Sequence, residues 1–143
     1  MTPPPLAWLM TAEVAVGPRR SLGSWQSGER FMVDVVGGQV RGDGFTGRVL
    51  AGGADRQWLR PDGAKELEAQ YELELADGTI LSVHNRALLA DGRQPARRTP
   101  CAARITAPAG HWDWLNRHLL VGDVTSFRPR IDAVEVRFFL LGR

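Results

Sequence analysis

The sequence predicts an all-β protein, a small closed antiparallel β-barrel with a central cavity, and three observations carry that reading. Apolar and polar residues alternate strictly from Lys65 to Leu75. Turn-forming Gly, Pro and Asp recur about every ten residues. No long helical pattern and no strand-helix-strand rhythm interrupts them. At 143 residues the chain is long enough to bury a core and short enough for one domain spanning 1–143. Its 43% hydrophobic and 24% charged residues are ordinary for a globular protein, which confines disorder to the Thr2-Pro3-Pro4-Pro5 start and short loops.

The elements follow in order. Trp8, Met10, Ala12, Val14 and Val16 alternate with Leu9, Thr11, Glu13 and Ala15, a first strand. Phe31 to Val36 is apolar and β-branched, with a stop at Gly37-Gly38. Arg48 to Leu50 ends at Gly52-Gly53, and Gln57 to Arg60 ends at Pro61-Asp62-Gly63. In Lys65 to Leu75 the Glu, Leu and Ala content alone favours helix. A helix would scatter its glutamates over all sides, whereas a strand puts Glu66, Glu68, Glu72 and Glu74 on one face and Leu67, Ala69, Tyr71, Leu73 and Leu75 on the other. Asp77-Gly78 is a tight-turn signal, and Thr79 to His84 is the returning strand of the hairpin. Cys101 to Thr106 reads as a strand closed by Pro108, and Ala133 to Leu141 as the last, with Val134, Val136, Phe138 and Leu140 on one face. Trp112 to Val121 fits both periods and stays open between helix and strand.

Several function classes lose support. Eighteen basic against sixteen acidic side chains give a net charge of +2, and the arginines are scattered, with only Arg19-Arg20 and Arg97-Arg98 adjacent. A nucleic-acid partner is therefore not expected. Cys101 is the lone cysteine, so neither an internal disulfide nor a cysteine metal site is available. His84, His111 and His118 show no metal-ligand spacing. No apolar run approaches the roughly 20 residues of a membrane span, and Leu6 to Met10 is too short for a secretory core. The expectation is a cytoplasmic protein without a membrane partner. There is no phosphate loop, dinucleotide fingerprint or Gly-x-Ser-x-Gly element, so neither a cofactor nor a serine hydrolase is expected. Gly37-Gly38, Gly42, Gly44 and Gly47 lie between strands and read as bulges and turns.

The chemistry-bearing candidates are few. Asp55 follows a glycine pair and precedes a strand, where a carboxylate either faces a barrel mouth as a base or caps a turn. Tyr71 lies on an apolar face, and its hydroxyl needs a partner, either a backbone carbonyl or a ligand oxygen. Arg104 and Thr106 fall on a half-buried strand; an inward arginine would attract a carboxylate or carbonyl. Trp112 and Trp114, with Asn116 beside them, form either a barrel rim or a pocket wall.

These residues resemble a known family. Gly47-Arg-Val-Leu-Ala-Gly-Gly-Ala-Asp55, Arg60-Pro-Asp-Gly63, Leu67-Glu-Ala-Gln-Tyr71 and Asp77-Gly78, in this order and spacing, look like the bacterial and fungal domain of unknown function 3237. Arg104-Ile-Thr106 and Trp114-Leu-Asn-Arg117 are similar to its second signature, and the likeness runs from about Leu6 to Leu140. The resemblance implies a small closed barrel with a cavity that handles small carbonyl or aromatic metabolites, as a lyase, isomerase or cyclase. It places Asp55, Tyr71, Arg104, Thr106, Trp114 and Asn116 near the pocket. The chain departs from the pattern at Arg56, where tryptophan is usual and Trp58 stands two places on, a further binding candidate. The segment between Thr106 and Trp114 is short and lacks the Phe-Glu pair expected there.

The expected function is a cofactor-independent enzyme acting on a small, partly apolar carbonyl compound. Asp55 would move a proton, Tyr71 and Arg104 would stabilise an oxyanion, and Thr106, Trp114, Asn116 and Trp58 would hold the substrate. The alternatives are a barrel that binds a small molecule without chemistry and a module that works through its surface. Five tryptophans leave room for one at an interface between copies, which admits a homodimer.

Overall fold

The computed structural model describes residues 1–92 and 98–143; Arg97 of the Arg97-Arg98 pair lies outside the described residues. Among the described residues nine strands form one antiparallel sheet: β1 (Leu6–Trp25), β2 (Gly28–Gly42), β3 (Thr46–Val49), β4 (Ala54–Leu59), β5 (Lys65–Leu75), β6 (Ile80–Leu89), β7 (Thr99–Thr106), β8 (Leu120–Ser126) and β9 (Ala133–Leu141). A short 3-10 helix, Asp113–Arg117, lies between β7 and β8. The strands bond in a ring. From β1 the ladders run through β9, β8, β7 and β6 to β5. β5 then pairs with β4 along Lys65–Gln70 and with β3 along Leu73–Leu75, and both of these pair with β2, which returns to β1. Ring closure leaves few unpaired edges, the hazard of a small sheet. Among the described residues no helix is long and apolar enough to cross a membrane.

The alternation of β5 is seen as expected: Tyr71, Leu73 and Leu75 are buried, while Glu68, Gln70 and Glu72 face water. The Asp77-Gly78 turn joins β5 to β6 in unbroken register from Lys65↔Leu89 to Glu74↔Ile80. β9 has the expected bounds. Gly37-Gly38 does not stop β2, as the sequence suggested, but forms a bulge inside it where the register against β1 shifts after Ala15. Gly38 is required there: its φ is +137°, and a Cβ would lie 2.0 Å from the Glu13 carbonyl oxygen. A second bulge, between Trp8 and Met10, leaves Leu9 and Met10 both buried and turns Trp8 outward, breaking the parity read for β1.

The interior is packed at one end and hollow at the other. Phe138, Met10, Leu73, Leu81, Ile105, Leu115, Leu120 and Val83 are the largest fully buried side chains, and none of them lines the hollow. The 3-10 helix closes the packed end: Leu115 is 1% exposed, and Trp112 and Trp114 pack against the core. Trp112 meets the Phe45 ring edge-on at 4.8 Å, and its Nε1 donates to Asp77 at 3.0 Å. The ambiguous Trp112 to Val121 segment is thus one helical turn followed by the start of β8.

Candidate functional site

Residues of β1, β2, β4, β5, β6, β7, β8 and β9 line a cavity of about 410 Å³ at the hollow end. That volume falls within the range of about 300–1,000 Å³ used for small-molecule sites. Its walls are chiefly aliphatic, with Val14, Val33, Val35, Val134 and Val136 among them. Against them stands a small polar cluster assembled by register. Val33 of β2 pairs with Asp55 of β4, Asp55 with Ala69 of β5, and Ala69 with Asn85 of β6. Alternation then brings Gln57 in beside Asp55, and Tyr71 in beyond Ala69. Gly53 admits this packing, because a Cβ there would lie 2.5 Å from that of Tyr71.

The cluster is short of hydrogen bonds. Gln57 Nε2 donates to Asp55 Oδ2 at 2.8 Å. Asp55 Oδ1, Gln57 Oε1, Tyr71 OH and Asn85 Oδ1 are buried without a hydrogen-bond partner among the described protein atoms. Leaving such a group unpaired costs about 1–3 kcal/mol, so four together are uncommon in a region that only has to fold. Burial raises the Asp55 carboxyl above its usual range, against the opposing Gln57 hydrogen bond and the Lys65 charge. Burial also raises the Tyr71 phenol, with smaller contributions from Cys101 and Asp55. The Cys101 thiol is pushed up to about 11 by burial, although it hydrogen-bonds Asn85, which makes it a poor nucleophile near neutral pH.

A raised Asp55 gives a signed pH dependence. A carboxyl whose folded pKa exceeds its unfolded value contributes stability that is complete below the unfolded value and is lost as pH rises through the folded one. Urea unfolding of the wild type and Asp55→Asn from pH 3 to 8 is expected to show the wild type losing ground to the variant as pH rises above about 4, until Asp55 is fully ionised. A constant difference would mean an unshifted carboxyl.

Of the residues expected in the pocket, Asp55 and Tyr71 line the cavity. The others do not. On β7 the inward parity belongs to Cys101, Ala103 and Ile105, so Arg104 and Thr106 face outward and are exposed. Trp58 lies on the face of β4 opposite Asp55 and Gln57; its Nε1 donates to the Ser27 carbonyl, and the Arg30 guanidinium sits 5.0 Å from its ring. Trp114 is half-buried at the packed end, edge-on to His118 and below the Arg143 guanidinium. Asn116 is exposed and clamps the backbone of Ala107, accepting from its N–H at 2.7 Å and donating to its carbonyl at 2.9 Å. Asn116→Ala is accordingly expected to cost about 1–2 kcal/mol of stability in a urea titration and to leave ligand binding unchanged.

Gln57, Asn85, Lys65, Arg19 and Arg128 also line the cavity and were not singled out from the sequence. Lys65 and Asn85 had a readable signal. Lys65 shares the odd-number parity of Tyr71, and Asn85 shares that of Leu81 and Val83, so each is a polar residue in an otherwise apolar row. Among the described residues no three His, Cys, Asp or Glu side chains gather where they could hold a metal ion.

An all-β ring around an aliphatic cavity with a few converging polar atoms defines a cavity-bearing β protein. The chain belongs to the family described as Protein of unknown function (DUF3237), which matches residues 4–141. A UPF0311 protein from Rhodopseudomonas palustris (strain TIE-1) is 30% identical over 137 residues, covering 87% of this chain and 90% of that one. The crystal structure of a conserved protein of unknown function from Rhodopseudomonas palustris superposes with a TM-score of 0.88 at 26% identity, covering 99% of each chain. A structure described as an enzyme from Penicillium herquei has a TM-score of 0.76 at 22% identity, covering 99% of this chain and 96% of that one, and shares the fold.

Proposed function

We propose that this chain is a small β-barrel enzyme that acts on a carbonyl-bearing or aromatic metabolite held in its cavity, by proton transfer through its own side chains. One observation carries the reading: Asp55 Oδ1 and Tyr71 OH are both buried, both unpartnered, and both on the wall of one ligand-sized cavity. In this mechanism Asp55 takes a proton from the substrate, such as one on carbon beside a carbonyl. The released electron pair shifts onto the carbonyl oxygen, and Tyr71 donates a hydrogen bond to the charge that develops there. A carboxyl raised by burial holds a proton it has taken more readily than a solvated one, and can return it to another atom of the same molecule. That cycle is common to the lyase, isomerase and cyclase classes. Asn85 and Gln57 supply the remaining polar contacts, and the valines hold the apolar part. The fold shared with a protein described as an enzyme is consistent with catalysis but does not choose a reaction.

The test is to incubate the protein with a mixture of small carbonyl and phenolic compounds and search by mass spectrometry for a product that the Asp55→Asn variant does not form. Compounds retained but unaltered would favour the second reading, a binding barrel without chemistry, for which the mainly aliphatic wall is equally suited.

A further inference from the structure

The cavity also carries basic side chains. Arg19, Lys65 and Arg128 all line it, whereas among the described residues Asp55 is the only acidic one that does. Arg128 is already engaged, by Asp132 at 3.4 Å and by the Gly17 carbonyl. Arg19 and Lys65 form no salt bridge with any described residue; Arg19 lies over the Phe31 ring at 4.2 Å, and Lys65 does not reach Asp55. Lys65 is also the only lysine in the sequence, and it is half-buried on the cavity wall.

This is an uncomfortable place for an ammonium group. Burial disfavours its charge most, the Arg19 guanidinium disfavours it further, and the attraction of Asp55 ranks behind both. Among the described residues neither cation has a counter-ion, and a half-buried ammonium beside an exposed guanidinium at the edge of an apolar cavity forms a site that an anion would complete, since one oxyanion answers both the lysine's lost hydration and the mutual repulsion. Six residues of β5 separate Lys65 from Tyr71, about 20 Å along an extended strand before side-chain reach is subtracted. Leu67 and Ala69 hold the inward positions between them on β5, and Asp55, which pairs with Ala69, is near enough for the Lys65 charge to act on it.

We infer that the ligand carries an anionic group, a carboxylate or comparable oxyanion, which Arg19 and Lys65 bind while its reacting oxygen lies by Asp55 and Tyr71. This rests on the cavity reading above and adds a substrate class: an organic acid with an apolar part and a carbonyl or phenolic group.

Two dyes with the same rings separate the inference from the reading beneath it. 8-Anilinonaphthalene-1-sulfonate is anionic, and N-phenyl-1-naphthylamine is its neutral counterpart. The wild type is expected to bind the sulfonate at least tenfold more tightly, and Lys65→Met to remove most of that preference while leaving the neutral dye within about twofold. Ala69→Phe, which fills the hollow, is expected to weaken both. A second measurement avoids substitution altogether. Reductive methylation with carbon-13 formaldehyde keeps the lysine charge and labels Lys65 besides the N-terminal amine. Its resonance is expected to shift with the sulfonate and not with the neutral dye. Equal affinities, an indifferent Lys65→Met or an unmoved resonance overturns the anion site and leaves the cavity standing. Failure of the folded wild type to bind either dye overturns both.

Discussion

Asp55→Asn is expected to lower turnover by about 10³-fold while leaving substrate affinity within about tenfold, because a positioned acid or base contributes roughly 10²–10⁴-fold. Asparagine keeps the shape of aspartate and can still pair with Gln57, so the wall and its 2.8 Å contact survive with little rearrangement. What it lacks is a site that accepts and returns a proton. The same replacement removes a carboxylate that burial disfavours, so at neutral pH the variant is expected to unfold at a higher urea concentration than the wild type. Activity lost alongside stability gained marks a group retained for chemistry; undiminished turnover would remove Asp55 from the mechanism.

Tyr71→Phe is the second large effect. Loss of one oxyanion donor lowers kcat by about 10²–10³-fold, chiefly in kcat rather than KM, because the charge it stabilises appears only as the reaction proceeds. The stability readout separates this from a structural role. The phenol is 2% exposed, and its oxygen has no hydrogen-bond partner. Deleting that oxygen removes an unsatisfied polar atom and leaves the ring in place, so the variant is expected to be equal to the wild type or more stable by about 1 kcal/mol. A tyrosine serving the fold through a hydrogen bond would give the reverse pattern, a stability loss of that size with kcat unchanged. Thermal unfolding and steady-state kinetics on one preparation decide between them.

Much of the frame was legible beforehand because it is written locally. The parity of β5 follows from consecutive residues, and the partner of each in β6 follows from Asp77-Gly78. The candidate site was legible only in part. A glycine pair marks Asp55 and an apolar row marks Tyr71, and both line the cavity. Arg104 and Thr106 were misplaced although the strand was right: Cys101, Ala103 and Ile105 form the apolar row, and the opposite parity faces water. Trp58 failed in the same way, by one residue of parity against Asp55. Trp114 and Asn116 lie in a segment where neither period prevails, and they ended at the packed end, away from the hollow.

Sequence alone determined the all-β class, the place of most strands along the chain, the main hairpin and the inward turn of Tyr71, because alternation and turn chemistry act over a few neighbouring residues. Tertiary structure decided which polar groups share a cavity. Asp55, Asn85, Lys65 and Arg19 come from four strands, and their meeting depends on ladders whose register is shifted by the β1–β2 bulges and propagated around the ring. A slip of one residue in any ladder would send its members to the other face, and no local pattern records the sum of those shifts.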